Sequence, residues 1–147
     1  MKYFSYEGER YILDSSRKVP SVGDFDENRK IVFIDSQVPG DFHEGIAVHE
    51  IEERKLVKKG HSYEFSHNEA QKRENEFYLQ KFGKVKGSRQ LQDEEKIVLE
   101  IFGSYLVEEM RELKTIKEEV MPVVINSKAK IGKESHSNNF KNSSSAK

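Results

Sequence analysis

Between Gly40 and Gly60 the chain takes on a helical period: Ile46, His49, Glu50, Glu53, Leu56 and Val57 fall at i, i+3, i+4, i+7, i+10 and i+11. That spacing predicts an amphipathic helix whose buried stripe is interrupted by three ionisable groups. Asp41 followed by Glu44 has the form of a capping box, and Gly60 is a natural terminator, so the helix is expected over about 42 to 59. A competing face, Ala47, Val48 and Ile51, would leave His49 to Glu53 in water, in keeping with the charge run Glu52, Glu53, Arg54, Lys58 and Lys59.

Upstream the period is two. Tyr3-Phe4-Ser5-Tyr6 and Arg10-Tyr11-Ile12-Leu13 flank Glu7-Gly8-Glu9 and predict a hairpin, while Lys30-Ile31-Val32-Phe33-Ile34-Asp35 predicts a further strand. Residues 15–29, with Pro20 and Gly23, read as a loop. Downstream a second helical pattern starts at Ser62 or Ser66 and runs to about Lys81, ending at Gly83; the short connection predicts an antiparallel helical hairpin. After a basic connector, Lys84 to Arg89, a third helix is expected from about Asp93 to Val120, stopped by Pro122. Its stripe of Val98, Phe102, Tyr105, Leu106, Met110, Leu113 and Ile116 suits core or a subunit interface. At ~40 Å it outreaches a domain of this size, which points to a protein partner or a second copy along the 93–120 helix.

These elements predict an α+β domain over 1–125: a small antiparallel sheet packed on the helical hairpin, with the long third helix completing the core. Residues 126–147 turn to Ser, Asn and Lys with few apolar residues and are expected to be a disordered tail. Composition adds four constraints. At 147 residues, with 35% hydrophobic and 35% charged, the chain supports one modest core. A net charge of −1 with interspersed signs gives no electrostatic case for a nucleic-acid partner. Without cysteine, a metal site has only nitrogen and oxygen ligands to draw on. No apolar run of membrane-spanning length and no signal-like N-terminus is visible, so the expected location is cytoplasmic.

The candidate chemistry lies on the first helix. His49 and Glu53, at i and i+4, point the same way with Glu50 beside them. This is the H-E-x-x-H arrangement with glutamate in the fifth position: the first and fifth residues hold Zn²⁺ and the second acts as general base. Clustered carboxylates and imidazole on a buried stripe need a metal, a counter-charge or a chemical task, because desolvating them alone costs several kcal/mol. With Gly60 as pivot, Glu53 lies seven residues before it and His67 seven after, so the two should face each other. His49, Glu53 and His67 then make a three-ligand set with a fourth position open to water. His61, in the turn, could swing inward. His43, six residues before His49, is expected on another, exposed face, and His136 lies in the tail. Glu64-x-x-His67 has the E-x-x-H spacing of di-iron bundles, but the required second copy is missing.

At Ala47-Val48-His49-Glu50-Ile51-Glu52-Glu53, then His67, Ala70 and Glu74, the chain resembles the zincin-like metallopeptidases, in particular small archaeal and phage proteins with A-V-H-E-x-x-E followed by H-x-x-A-x-x-x-E. The resemblance covers roughly residues 30 to 80 and implies a zinc-dependent peptidase acting on a peptide or protein substrate. In that group a strand before the metal helix aligns the substrate, a place that residues 30–35 would fill. The group's gluzincin branch takes its third ligand from a glutamate on the second helix, which makes Glu74 a rival to His67. A glutamate in the fifth position departs from the pattern: its added negative charge weakens the metal as a Lewis acid. A non-enzymatic interaction module, with a structural metal or none, is the alternative.

Overall fold

In the computed structural model the backbone is described for residues 1–146 and the side chains for residues 1–116. Strands β1 (Lys2–Tyr6) and β2 (Glu9–Asp14) form the expected hairpin, with Phe4 paired to Tyr11. Glu7 (φ 50) and Gly8 (φ 78) both take positive φ, the tight turn whose twist matches that of the strands it joins. β3 (Gly23–Asp26) and β4 (Ile31–Ile34) form a second antiparallel pair, and β4 runs parallel to β2, aligning Leu13 with Val32.

The sheet order is β1-β2-β4-β3, a mixed sheet rather than the antiparallel one expected. Residues 15–29 are correspondingly not all loop. Gly23-Asp24-Phe25-Asp26 contains no β-branched residue, so nothing local marks it as a strand. Its conformation comes from pairing with β4 and from the inward turn of Gly23 and Phe25. Ahead of it, fully buried Asp35 ties the loop down: its carboxylate accepts from the Val19 amide (2.7 Å) and the Gln37 amide (2.8 Å). Val22 is held left-handed at φ 74, unusual for a β-branched residue, by Val22 N–H to Val19 O and Asp35 N–H to Val22 O.

Helix α1 (His43–Lys58) follows a 3₁₀ turn at Gly40–Phe42. That turn displaces the predicted capping box: Phe42 becomes the N-cap without a side-chain acceptor, and Glu44 pairs with Lys81 instead. The C-terminus behaves as the sequence suggests. Gly60 (φ 97) and His61 donate to Val57 O and Leu56 O in a Schellman turn. Ser62 Oγ then accepts from the Phe65 amide (3.2 Å) and caps the next helix.

That helix, α2 (Tyr63–Ala146), has non-helical geometry only at Gly83 (φ 84, ψ 172). α2 thus breaks at Gly83, the expected end of the second helical pattern, but no connector follows: Lys84 to Arg89 are already helical and run on through Asp93, so no separate third helix starts there. Most of these residues are adequate helix formers. Gly87, which reads as a loop signal, is needed for contact instead, since a Cβ there would lie 2.8 Å from Tyr78 O and 3.0 Å from Leu79 Cα.

The Ala47, Val48 and Ile51 face of α1 is fully covered, and the other expected stripe is buried at Ile46 and His49, half-buried at Glu50, Glu53 and Leu56 and exposed at Val57. Ile46, Ala47, Val48, His49 and Ile51 are all buried, with β3 and β4 on one side and α2 on the other. His43, expected to be exposed, is 7% exposed, and its Nε2–H donates to Val38 O at 2.8 Å. The chain forms two compact units, Met1–Ser104 and Tyr105–Lys147. From Phe102 to Ile116 the predicted stripe is exposed at Phe102, Leu106, Met110, Leu113 and Ile116 rather than core. The tail expected over 126–147 lies outside the residues with described side chains. Among the described residues no helix is long and apolar enough to cross a membrane.

Candidate metal centre

α1 and the first part of α2 run antiparallel about the Gly60 turn, and the contacts climb the pair in register. Glu53 meets His67, His49 meets Glu74, Gly45 meets Tyr78 and Glu44 meets Lys81. One rung brings three candidate ligand atoms together. Glu53 Oε2 is 3.0 Å from His49 Nε2 and 3.0 Å from His67 Nδ1, and the two nitrogens are 3.2 Å apart. A tetrahedral zinc with ligands at ~2.0–2.1 Å would place its donors about 3.3 Å from one another, so the N, O, N set is nearly of the size such an ion requires. His49 is buried, Glu53 partly so, and the His67 side chain is 43% exposed, which opens the cluster to solvent on the α2 side.

The structure separates the rival ligands. Glu74 Oε1 sits 3.1 Å from His49 Nδ1, on the ring edge away from Glu53 and His67. It is therefore placed to orient the imidazole rather than to join the set. His61 packs on Phe65, its ring tilted by 34° with centres 4.8 Å apart, and among the described residues it does not belong to the convergent group.

Behind Glu74 lies a second buried carboxyl that sequence reasoning missed. Glu94, from α2 beyond Gly83, hydrogen-bonds to Glu74 and to Tyr78. Two carboxyls can bond only if one keeps its proton, and Glu94 is the one that does. Burial first, then the hydrogen bond and charge of Glu74, hold it far above the ordinary carboxyl range, with Tyr78 opposing. Glu74 Oε2 is buried and makes no hydrogen bond of its own, which leaves it the oxygen with room for a proton from Glu94. Tyr78 closes the chain by donating weakly to Phe42 O at 3.4 Å. No local pattern pointed to Glu94, because only the return of α2 after Gly83 brings it there.

Tyr63 was missed as well. Its hydroxyl lies 3.3 Å from His67 Nδ1, with the rings 5.5 Å apart. The signal was present in the i, i+4 spacing of Tyr63 and His67 on the first turns of α2. Glu50, the expected base, is half-buried against β3: a Cβ at Gly23 would come within 3.0 Å of Glu50 Oε1 and 2.9 Å of Ile46 Cγ2. Gly23 thus clears the room Glu50 occupies.

Electrostatically the cluster collects positive charge. Burial pushes His49 down, but the hydrogen bonds its ring donates to Glu53 and Glu74 and the charges of Glu74 and Glu50 outweigh it and raise the imidazole to about 9. Burial would raise Glu53, yet His49 and His67 bring it below the ordinary carboxylate range. A proton on His49 holds the carboxylates together, the part a divalent cation would play if one were bound there. Glu52, on another face of α1, accepts from the Tyr6 hydroxyl (3.0 Å) and contributes nothing to the set. A groove of about 460 Å³ beside Phe4, Phe77 and the Glu44–Lys81 pair lies nearer the start of α1 and has no convergent ligand set. Comparison with protein-family models, curated proteins and solved structures finds no match to this chain, so no relationship to the zincins is supported.

Proposed function

We propose that the protein is a zinc-dependent metallohydrolase, with His49, Glu53 and His67 as metal ligands and a peptide or protein as substrate. The observation that carries this reading is the triangle of donor atoms at 3.0, 3.0 and 3.2 Å, one edge of it open to solvent. A zinc ion there would supply Lewis acidity to a carbonyl and to water. Glu50, on the turn shared with His49, takes the proton of the attacking water and hands it to the leaving amine. Tyr63, whose hydroxyl lies beside His67, would donate to the oxygen that becomes negative as the carbonyl is attacked. Glu74 fixes the tautomer and direction of the His49 ring.

A second reading, an interaction module with a structural metal or none, draws support from Glu53, whose negative charge makes a bound ion a poorer Lewis acid. Metal analysis of protein purified without chelator, followed by hydrolysis of a peptide library by wild type and Glu50→Gln, separates the two. The hydrolase reading expects stoichiometric zinc in both proteins and turnover in wild type, reduced at least ~10²-fold in Glu50→Gln. Zinc without turnover favours the structural metal, and absence of zinc sinks both metal readings.

A further inference from the structure

After the break at Gly83 the chain runs back along the first part of α2. In an unbroken helix nine residues span ~13 Å, yet a Cβ at Gly87 would lie 2.8 Å from Tyr78 O. Further on, Gln90 donates to Asp41 O at 3.0 Å, and Glu94 lies against Glu74 and Tyr78. Between positions 84 and 104 only Gly87, Glu94 and Ile101 are buried, at intervals of two helical turns and so on one narrow stripe. Glycine brings no side chain, which leaves one isoleucine and one carboxyl as the fully buried contacts of the whole stretch. An element with so little buried apolar surface opens locally well before the domain unfolds. Its carboxyl is one step from the candidate metal centre: Glu94 meets Glu74, which is 3% exposed and whose Oε1 is 3.1 Å from His49 Nδ1.

We propose that residues 84–104 form a strap whose docking controls the affinity of the metal site, through Glu94, Glu74 and His49 in turn. Such control presupposes the His49, Glu53 and His67 site proposed above. With the strap docked, Glu74 is shut from water and held between Glu94 and the imidazole. With the strap released, water reaches Glu74, its carboxylate turns freely, and His49 loses the partner that fixes its ring. Loss of an outer partner of this kind typically weakens a metal about 10–100-fold. By linkage the effect is reciprocal. An ion that holds His49 with its Nδ1–H toward Glu74 favours the docked strap by the same factor by which docking favours the ion. Glu94 is a positioning residue in this scheme, since it acts on the ligands only through Glu74.

The test combines amide hydrogen exchange over residues 84–104 with zinc titration against a chromophoric competitor, both on the full chain. Saturating zinc should slow exchange of the strap in wild type, and should leave it nearly unchanged in Glu94→Leu. Zinc should bind Glu94→Leu about five-fold or more weakly than wild type, the low end of ordinary coupling between sites, whereas Glu94→Gln, which keeps a polar partner for Glu74, should stay within about two-fold. Gly87→Leu, whose side chain would run into the backbone at Tyr78 and Leu79, displaces the strap without altering Glu74 and should weaken zinc by a similar factor. Strap exchange that zinc leaves unchanged in wild type, or zinc bound by Glu94→Leu and Gly87→Leu as tightly as by wild type, overturns the coupling and leaves the metal reading standing. A wild-type chain that binds no zinc overturns the metal reading, and the coupling with it.

Discussion

Raising the pH should make the metal-free protein less stable and a better binder of zinc at the same time. His49 is held at about 9 against an ordinary 6.5. A group raised in the folded state contributes its full stability below 6.5 and loses it as the pH climbs through about 9. Each tenfold step in proton affinity is ~1.4 kcal/mol, so the contribution of this buried imidazole is on the order of 3 kcal/mol. For a domain of this size that corresponds to a fall in melting temperature of roughly 10 °C across the window. A metal must displace the same proton, so zinc affinity should climb about tenfold per pH unit up to about 9. An imidazole with ordinary surroundings would level off near 6.5. Chelator-treated protein melted across this range, alongside zinc titrations against a chromophoric competitor, measures both arms. Glu74→Gln removes one carboxylate partner of His49 and should move both curves toward lower pH, while weakening zinc about 10–100-fold. Stability and affinity that are both flat above pH 7 would show that His49 is neutral there and that the charge reasoning is wrong.

Gly45→Ala should destabilise by about 2 kcal/mol or more despite the better helix former, since its Cβ would fall 2.0 Å from the Tyr78 hydroxyl oxygen and 2.1 Å from Cζ; chemical denaturation showing equal or greater stability refutes this. Gly23→Ala crowds Glu50 and Ile46, so hydrolysis should fall while zinc stays bound, and a loss of zinc would mean that β3 supports the ligands directly. Glu94 is held protonated beside Glu74 and Tyr78, so the neutral isostere Glu94→Gln should melt near wild type, whereas Glu94→Leu removes the polar partner of both and should cost about 1–3 kcal/mol; equal melting of the two variants rules out that partnership. Tyr63→Phe should retain zinc and lower kcat more than it raises KM, and an unchanged kcat removes Tyr63 from the reaction.

What the sequence disclosed follows the range of the interactions concerned. The Glu7-Gly8 turn, the Gly60 terminator and the equal spacing of Glu53 and His67 about it are local, and residues within a few positions determine them. Features made by distant partners were not visible. β3 is a strand because β4 and α1 make it one, His43 is buried because Val38 O lies over its ring, and Glu94 reaches Glu74 only after α2 turns at Gly83. The capping box failed for a subtler reason: its residues are present, but the 3₁₀ turn at Gly40–Phe42 moves the N-cap one position on, from Asp41 to Phe42.

Surface connections usually accept extra residues, since the chain merely bulges into solvent. The link through Gly60 is an exception, because it carries the register between His49 and Glu53 on one helix and His67 on the other. One residue inserted into the first turn of α2 would rotate His67 by about 100° and displace it by ~1.5 Å along the axis, taking Nδ1 out of the triangle. The two helices could still pair by other contacts. In this protein a length polymorphism at an exposed turn would therefore abolish the site while leaving a folded chain, and an unvarying length from Lys59 to His67 is the mark by which chains that share the site can be told from chains that share only the fold.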